Sequence, residues 1–141
     1  MKILILAVLL VVPFGAMADR DYNNGSYWTV TSVDTKPGQY DAYLSDLNQV
    51  WRKSVEMLIA DGKAVSYRMF SNVHARDGEP NLWLLIEWKS AGAVLDAEDE
   101  YWDKQEKKLF GSADKGTQAN IKRGDLRTIM SQTLMRELAF D

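Results

Sequence analysis

Three charged residues, Arg68, Glu87 and Glu137, sit in segments that alternate like strands. Each shares its parity with apolar neighbours: Arg68 with Phe70, Glu87 with Trp83 and Leu85, Glu137 with Met135. Side chains two residues apart on a strand lie on one face, so these groups converge if their strands are neighbours. A cation and two carboxylates in such a setting can do one of two things. They can fix the packing as an ion-pair network, or they can orient a ligand in a mostly apolar pocket. The candidate pocket is therefore Arg68, Phe70, Trp83, Leu85, Glu87 and Glu137. Burial against Trp83 and Leu85 would raise the pKa of Glu87 and make it a base, whereas a nearby Arg68 would lower it.

Other reactive groups are sparse. His74 is the single histidine, hence the one side chain that titrates near neutral pH and the obvious general base. It stands beside Arg76 and Asp77 in a turn-rich stretch and reads as an exposed turn residue. Asn48 and Trp51 lie about one turn apart on a helix, where a tryptophan on the apolar stripe reads as core. Asp96, Glu98, Asp99, Glu100, Asp103 and Glu106 form an acidic run that reads as a solvated helix face and not as a metal site. The chain has no cysteine. That removes disulfides, thiol catalysis, Cys-ligated zinc and iron–sulfur clusters together. No metal and no cofactor are expected.

The elements that must position these groups follow from changes in hydrophobic period. Residues 27–34 alternate and are rich in β-branched and aromatic types, which predicts a strand ended by Lys36-Pro37-Gly38. Tyr40, Tyr43, Leu44, Leu47, Trp51, Val55 and Leu58 then recur at helical spacing, with Gly62 as a stop. Residues 64–88 read as a β-hairpin about Asp77-Gly78, with Val65, Tyr67, Met69 and Ser71 on one side of its first strand. Its return strand, residues 81–88, is apolar on both faces, as a covered central strand should be. Ser90 is the expected N-cap of one further long helix carrying Val94, Leu95, Tyr101, Trp102, Gln105 and Leu109, stopped by Gly111. Residues 112–130 are ambiguous, with Gly116 and Gly124 against a short helix bearing Ile121. Residues 131–140 read as a last strand.

Before all of these comes a segment of another kind. Residues 1–18 begin with Lys2, run apolar from Ile3 to Val12, and end Ala16-Met17-Ala18. A positive start, a short apolar core and small residues before a cleavage point read as a secretory signal peptide, too short to span a bilayer. Cleavage is expected after Ala18, with export to a bacterial periplasm. Residues 19–26 read as a mobile leader and residues 27–141 as a single domain. Loss of Lys2 leaves 16 basic against 20 acidic residues, a net charge of −4. That balance disfavours nucleic acid and anionic membranes, which need basic clusters. No later segment is long and apolar enough for a membrane span.

The order strand, helix, hairpin, helix, strand is that of an α+β, ferredoxin-like βαββαβ sandwich: a four-stranded antiparallel sheet with two long helices on one face. The second face is then the puzzle. It offers Phe70, Trp83, Leu85 and Met135, with Tyr27 beside them, an exposed apolar patch of roughly a few hundred Å² that marks an interface.

With its Tyr27-Trp28-Thr29-Val30 strand, the hairpin ending Asn81-Leu82-Trp83-Leu84-Leu85-Ile86-Glu87-Trp88, and the terminal Leu134-Met135-Arg136-Glu137-Leu138, the chain resembles the dimeric α/β-barrel superfamily. The resemblance is architectural. It implies a homodimer packed sheet to sheet around a pocket, and no particular reaction. Haem-binding members place a histidine on a helix or in the pocket, which this chain lacks. The leading expectation is a binding protein that holds a small apolar or amphipathic molecule between two sheets. The alternatives are a cofactor-independent monooxygenase or isomerase, to which Asn48, Trp51, Tyr67 and Asn72 would contribute, and a non-catalytic interaction protein whose barrel is filled by side chains.

Overall fold

Threonines and apolar residues alternate along β1 (Asn23–Thr35), so that Thr29, Thr31, Val33 and Thr35 face one way and Trp28, Val30 and Ser32 the other. The computed structural model describes residues 21–140; the expected signal peptide lies outside them. β2 (Ala64–Ser71), β3 (Leu82–Trp88) and β4 (Arg127–Ala139) join β1 in one antiparallel sheet of order β2-β3-β1-β4. This is the expected ferredoxin-like arrangement, with the two-sided apolar strand β3 and strand β1 at its centre.

One sheet face is covered by helices. The first runs as α1 (Tyr40–Asp46), a π-helical turn (Leu47–Trp51) and α2 (Arg52–Ala60). The Arg52 N–H donates to the Leu47 carbonyl, five residues back. Tyr43, Leu47, Val55 and Leu58 are buried on its inner stripe. Tyr43 and Leu47 pack with Val33, Leu82 and Leu84 in one cluster; Leu58 packs with Ala64 and Trp88 in another. Trp88 also donates its indole N–H to Thr29 Oγ1 at 2.7 Å, so its polar edge is satisfied inside the core.

The second helical region is broken where one long helix was expected. Ser90 caps α3 (Ala91–Leu95), its hydroxyl accepting from the Ala93 N–H at 3.2 Å. The chain then leaves the helix over residues 96–98 and restarts as α4 (Asp99–Phe110). Leu95 is 68% exposed and so is not on the buried stripe. Gly111, at φ 82°, ends α4. The ambiguous stretch forms α5 (Ala113–Gly124), whose Ser112 hydroxyl accepts from the Lys115 N–H.

Irregularities in the ladders move several residues from their expected places. β1 starts at Asn23, so residues 23–26 are part of the sheet and not a leader. Between the Asn24–Leu138 and Tyr27–Arg136 pairs, Gly25 and Ser26 oppose the single residue Glu137. β2 bulges between Ala64 and Ser66, which puts Ala64 inside and leaves Val65 53% exposed, off the Tyr67 face. β4 bulges at Met130. Tyr27 pairs with Trp88 and packs on the helix-side core; Trp28 takes the open face in its stead.

Candidate binding site

The open face of the sheet is built from registered pairs. Trp28 lies opposite Glu87 and Met135, Val30 opposite Leu85, Leu85 opposite Arg68, and Phe70 opposite Trp83. Phe70 is 52% and Met135 49% exposed, because no helix among the described residues covers this side. A groove of about 310 Å³ runs over it, lined by Trp28, Val30, Arg68, Phe70, Leu85 and Glu137, with Met135 and Arg136 at its β4 end.

Arg68, Phe70, Leu85 and Glu137 are thus brought together in one groove. Trp83 and Glu87 share the face but do not line it. Glu87 is held elsewhere: its two carboxylate oxygens accept from the Ser26 and Ser66 hydroxyls, each at 2.6 Å. These two bonds hold its pKa below the ordinary carboxylate value, and the more distant Arg68 charge adds to the effect. An ionised carboxylate stabilised in this way is a poor general base. The three charged groups form no ion-pair network: among the described residues Arg68 and Glu137 have no partner of opposite charge within 4 Å. The Glu137 side chain lies over Gly25, where a Cβ would stand 2.8 Å from its Oε2, so the bulge glycine makes room for it.

The other candidates fall outside the groove. His74 is exposed in the β2–β3 loop, where the Glu79 N–H donates to the Arg76 carbonyl at 3.0 Å around Gly78 at φ 80°. Asn48 is exposed; Trp51 packs edge-on against Tyr67 with ring centroids 5.4 Å apart. The acidic run gathers no metal-binding cluster among the described residues. No helix among them is long and apolar enough to cross a membrane.

Sequence reasoning missed Trp28 and Val30 as groove residues, although their alternation with Thr29 and Thr31 carried the signal. It also missed Arg123 and Arg127, which lie on and after α5, in the stretch whose structure was ambiguous. Both line a separate cavity on the helix side of the sheet.

The chain is therefore a ferredoxin-like α+β domain with one sheet face covered by its own helices and one face open and apolar. No protein-family model and no curated protein matches it. Among solved structures it is similar to a dimeric ferredoxin-like protein from an uncultured marine organism, at 12% identity over 84% of this chain and 90% of that one, with a TM-score of 0.52. It is likewise similar to a NIPSNAP family protein with unknown function from Agrobacterium tumefaciens, at 15% identity over 83% of this chain and 92% of that one, with a TM-score of 0.51. At these identities the likeness lies in the fold.

Proposed function

We propose that this chain is an exported, homodimeric binding protein, in which two copies pack open face to open face and hold a small apolar or amphipathic molecule in the seam. The observation that carries the reading is the groove of Trp28, Val30, Phe70 and Leu85, which crosses the sheet face that no helix of the described residues covers. Large apolar side chains gathered in one exposed patch mark an interface. The structural neighbour of the same fold, itself described as dimeric, supports the pairing.

Export rests on the tripartite pattern of residues 1–18. Binding is favoured over catalysis because the only carboxylate the sequence offered as a base, Glu87, is held ionised by two hydroxyl groups.

Native mass spectrometry of the protein purified from its own host tests the reading. The expected species starts at Asp19, has twice the protomer mass and retains a small molecule. A ligand-free monomer with Met1 intact would overturn it.

A further inference from the structure

The helix-side core is not continuous. Its two buried clusters, one around Val33, Leu47 and Leu82 and the other around Leu58 and Trp88, are separated by a cavity of about 390 Å³. A half-open cleft of this size falls in the range of ligand pockets, which begin at about 300 Å³. The walls are mostly aromatic and aliphatic (Trp51, Trp88 and Trp102, with Leu58 and Ile86), and Thr29, Thr31 and Gln132 add neutral polar groups from the sheet. A second lobe of about 260 Å³ between α2 and α4 shares Trp51, Leu58, Trp102 and Arg123 with the first.

Two guanidinium groups reach into this apolar space. The Arg123 side chain is only 13% exposed; its Nε lies 2.7 Å from Asp46 Oδ2, its Nη1 donates to Asn120 Oδ1 at 3.3 Å, and its Nη2 is buried with no hydrogen-bond partner among the described residues. Arg127 Nε is also buried without one, and its guanidinium stands 5.9 Å from the centre of the Tyr43 ring. Burial raises the pKa of the Tyr43 phenol against the opposing pull of the two arginines, so at neutral pH it is an uncharged hydroxyl at the same end. Glu106 lines the outer lobe, but its carboxylate is turned onto Gly116 of α5. At the inner end, then, two fixed positive charges face one carboxylate. Surplus positive charge beside a largely apolar wall favours an anion with an apolar body, and guanidinium groups are well shaped to hold its head.

We propose that each protomer carries a second site in this cavity, for a small monoanion with an apolar body, its carboxylate or equivalent head held by Arg123 and Arg127 and its body packed between the three tryptophans. One surplus positive charge selects a monoanion; a dianion would leave a charge unmatched in an apolar enclosure. The site is complete within one protomer and lies on the opposite side of the sheet from the dimer seam, so it goes beyond the seam reading and does not require it.

Trp51, Trp88 and Trp102 make the site self-reporting. Tryptophan fluorescence of the purified protein is titrated with decanoate and, separately, with 1-decanol, both below their aggregation limits. Decanoate should bind at least tenfold more tightly than its neutral counterpart. Arg127→Met should abolish that preference and leave 1-decanol affinity unchanged, whereas Phe70→Ser, in the open-face groove, should leave the preference intact. Equal affinities for the two probes in the wild-type protein would overturn the proposal without any variant having to fold. Loss of decanoate binding in Phe70→Ser, with Arg127→Met unaffected, would place the anion in the seam; this site would then fall while the seam reading stood.

Discussion

Glu87 shows how much a single carboxylate depends on neighbours that the sequence does not bring to mind. Its parity with Trp83 and Leu85, and hence its face, was legible from alternation alone. Its partners were not: Ser66 shares a face with Arg68, and Ser26 shares one with Trp28, but alternation gives only the face, and it is the strand register that sets Ser66 and Trp28 directly opposite Glu87. The lowered pKa has a definite consequence for stability. A carboxylate with a folded pKa below its ordinary value of 4.5 stabilises the fold above that value, and the contribution is lost as the pH falls through the folded pKa. Ser66→Ala should therefore raise the Glu87 pKa and cost about 1 kcal/mol at pH 7, the usual worth of one such hydrogen bond. The gap to wild type should close in acid. Carboxyl-carbon NMR titration of Glu87 and thermal melts at pH 7 and pH 3 check both parts; a pKa indifferent to Ser66→Ala would show that the hydroxyls do not set it.

At the scale of elements, the strongly periodic segments declared themselves. The stripe from Tyr43 to Leu58 was readable although a π-helical turn interrupts it, since Leu47, Trp51 and Val55 still fall on the side facing the sheet. The second helix was misread as continuous because Val94 and Tyr101 both pack on the Leu58–Trp88 cluster. The break at residues 96–98 lies in the acidic stretch between them, where periodicity is silent. β4 was read short at its start: Arg127, Thr128 and Ile129 pair with β1, but the strand bulges at Met130 and its alternation is lost there. Glycine gives a sharper test of local conformation than any of these. Gly111 and Gly124 both end helices, and a Cβ on either would meet nothing within 4 Å. Only Gly111 has a positive φ, of 82°. Gly111→Ala should therefore destabilise by about 1–2 kcal/mol, while Gly124→Ala should stabilise by about 0.4–1 kcal/mol. Urea unfolding of the two variants separates them, and shifts of the same sign would contradict this assignment of the helix ends.

For the whole molecule, the decisive feature is a sheet with apolar residues on both faces and helices on only one. The sequence announced this through β3, where Leu82, Leu84, Ile86 and Trp88 turn inward and Trp83 and Leu85 turn outward. It could not announce the helix-side cavity, because a void is set by how α2, α4 and α5 lean on the sheet and leaves no pattern in any one of them. The uncovered side must be met by something. Each large apolar side chain removed from water is worth roughly 1.5–3 kcal/mol, so Trp28, Phe70, Leu85 and Met135 together supply ample drive for two copies to close on one another. Sedimentation velocity of the protein at micromolar concentration tests this directly, with Leu85→Glu beside the wild type. The wild-type protein should sediment as a dimer and Leu85→Glu as a monomer that keeps its far-ultraviolet circular dichroism, since Leu85 lies outside the helix-side core. A wild-type protein that remains monomeric across that range would contradict the pairing of open sheet faces.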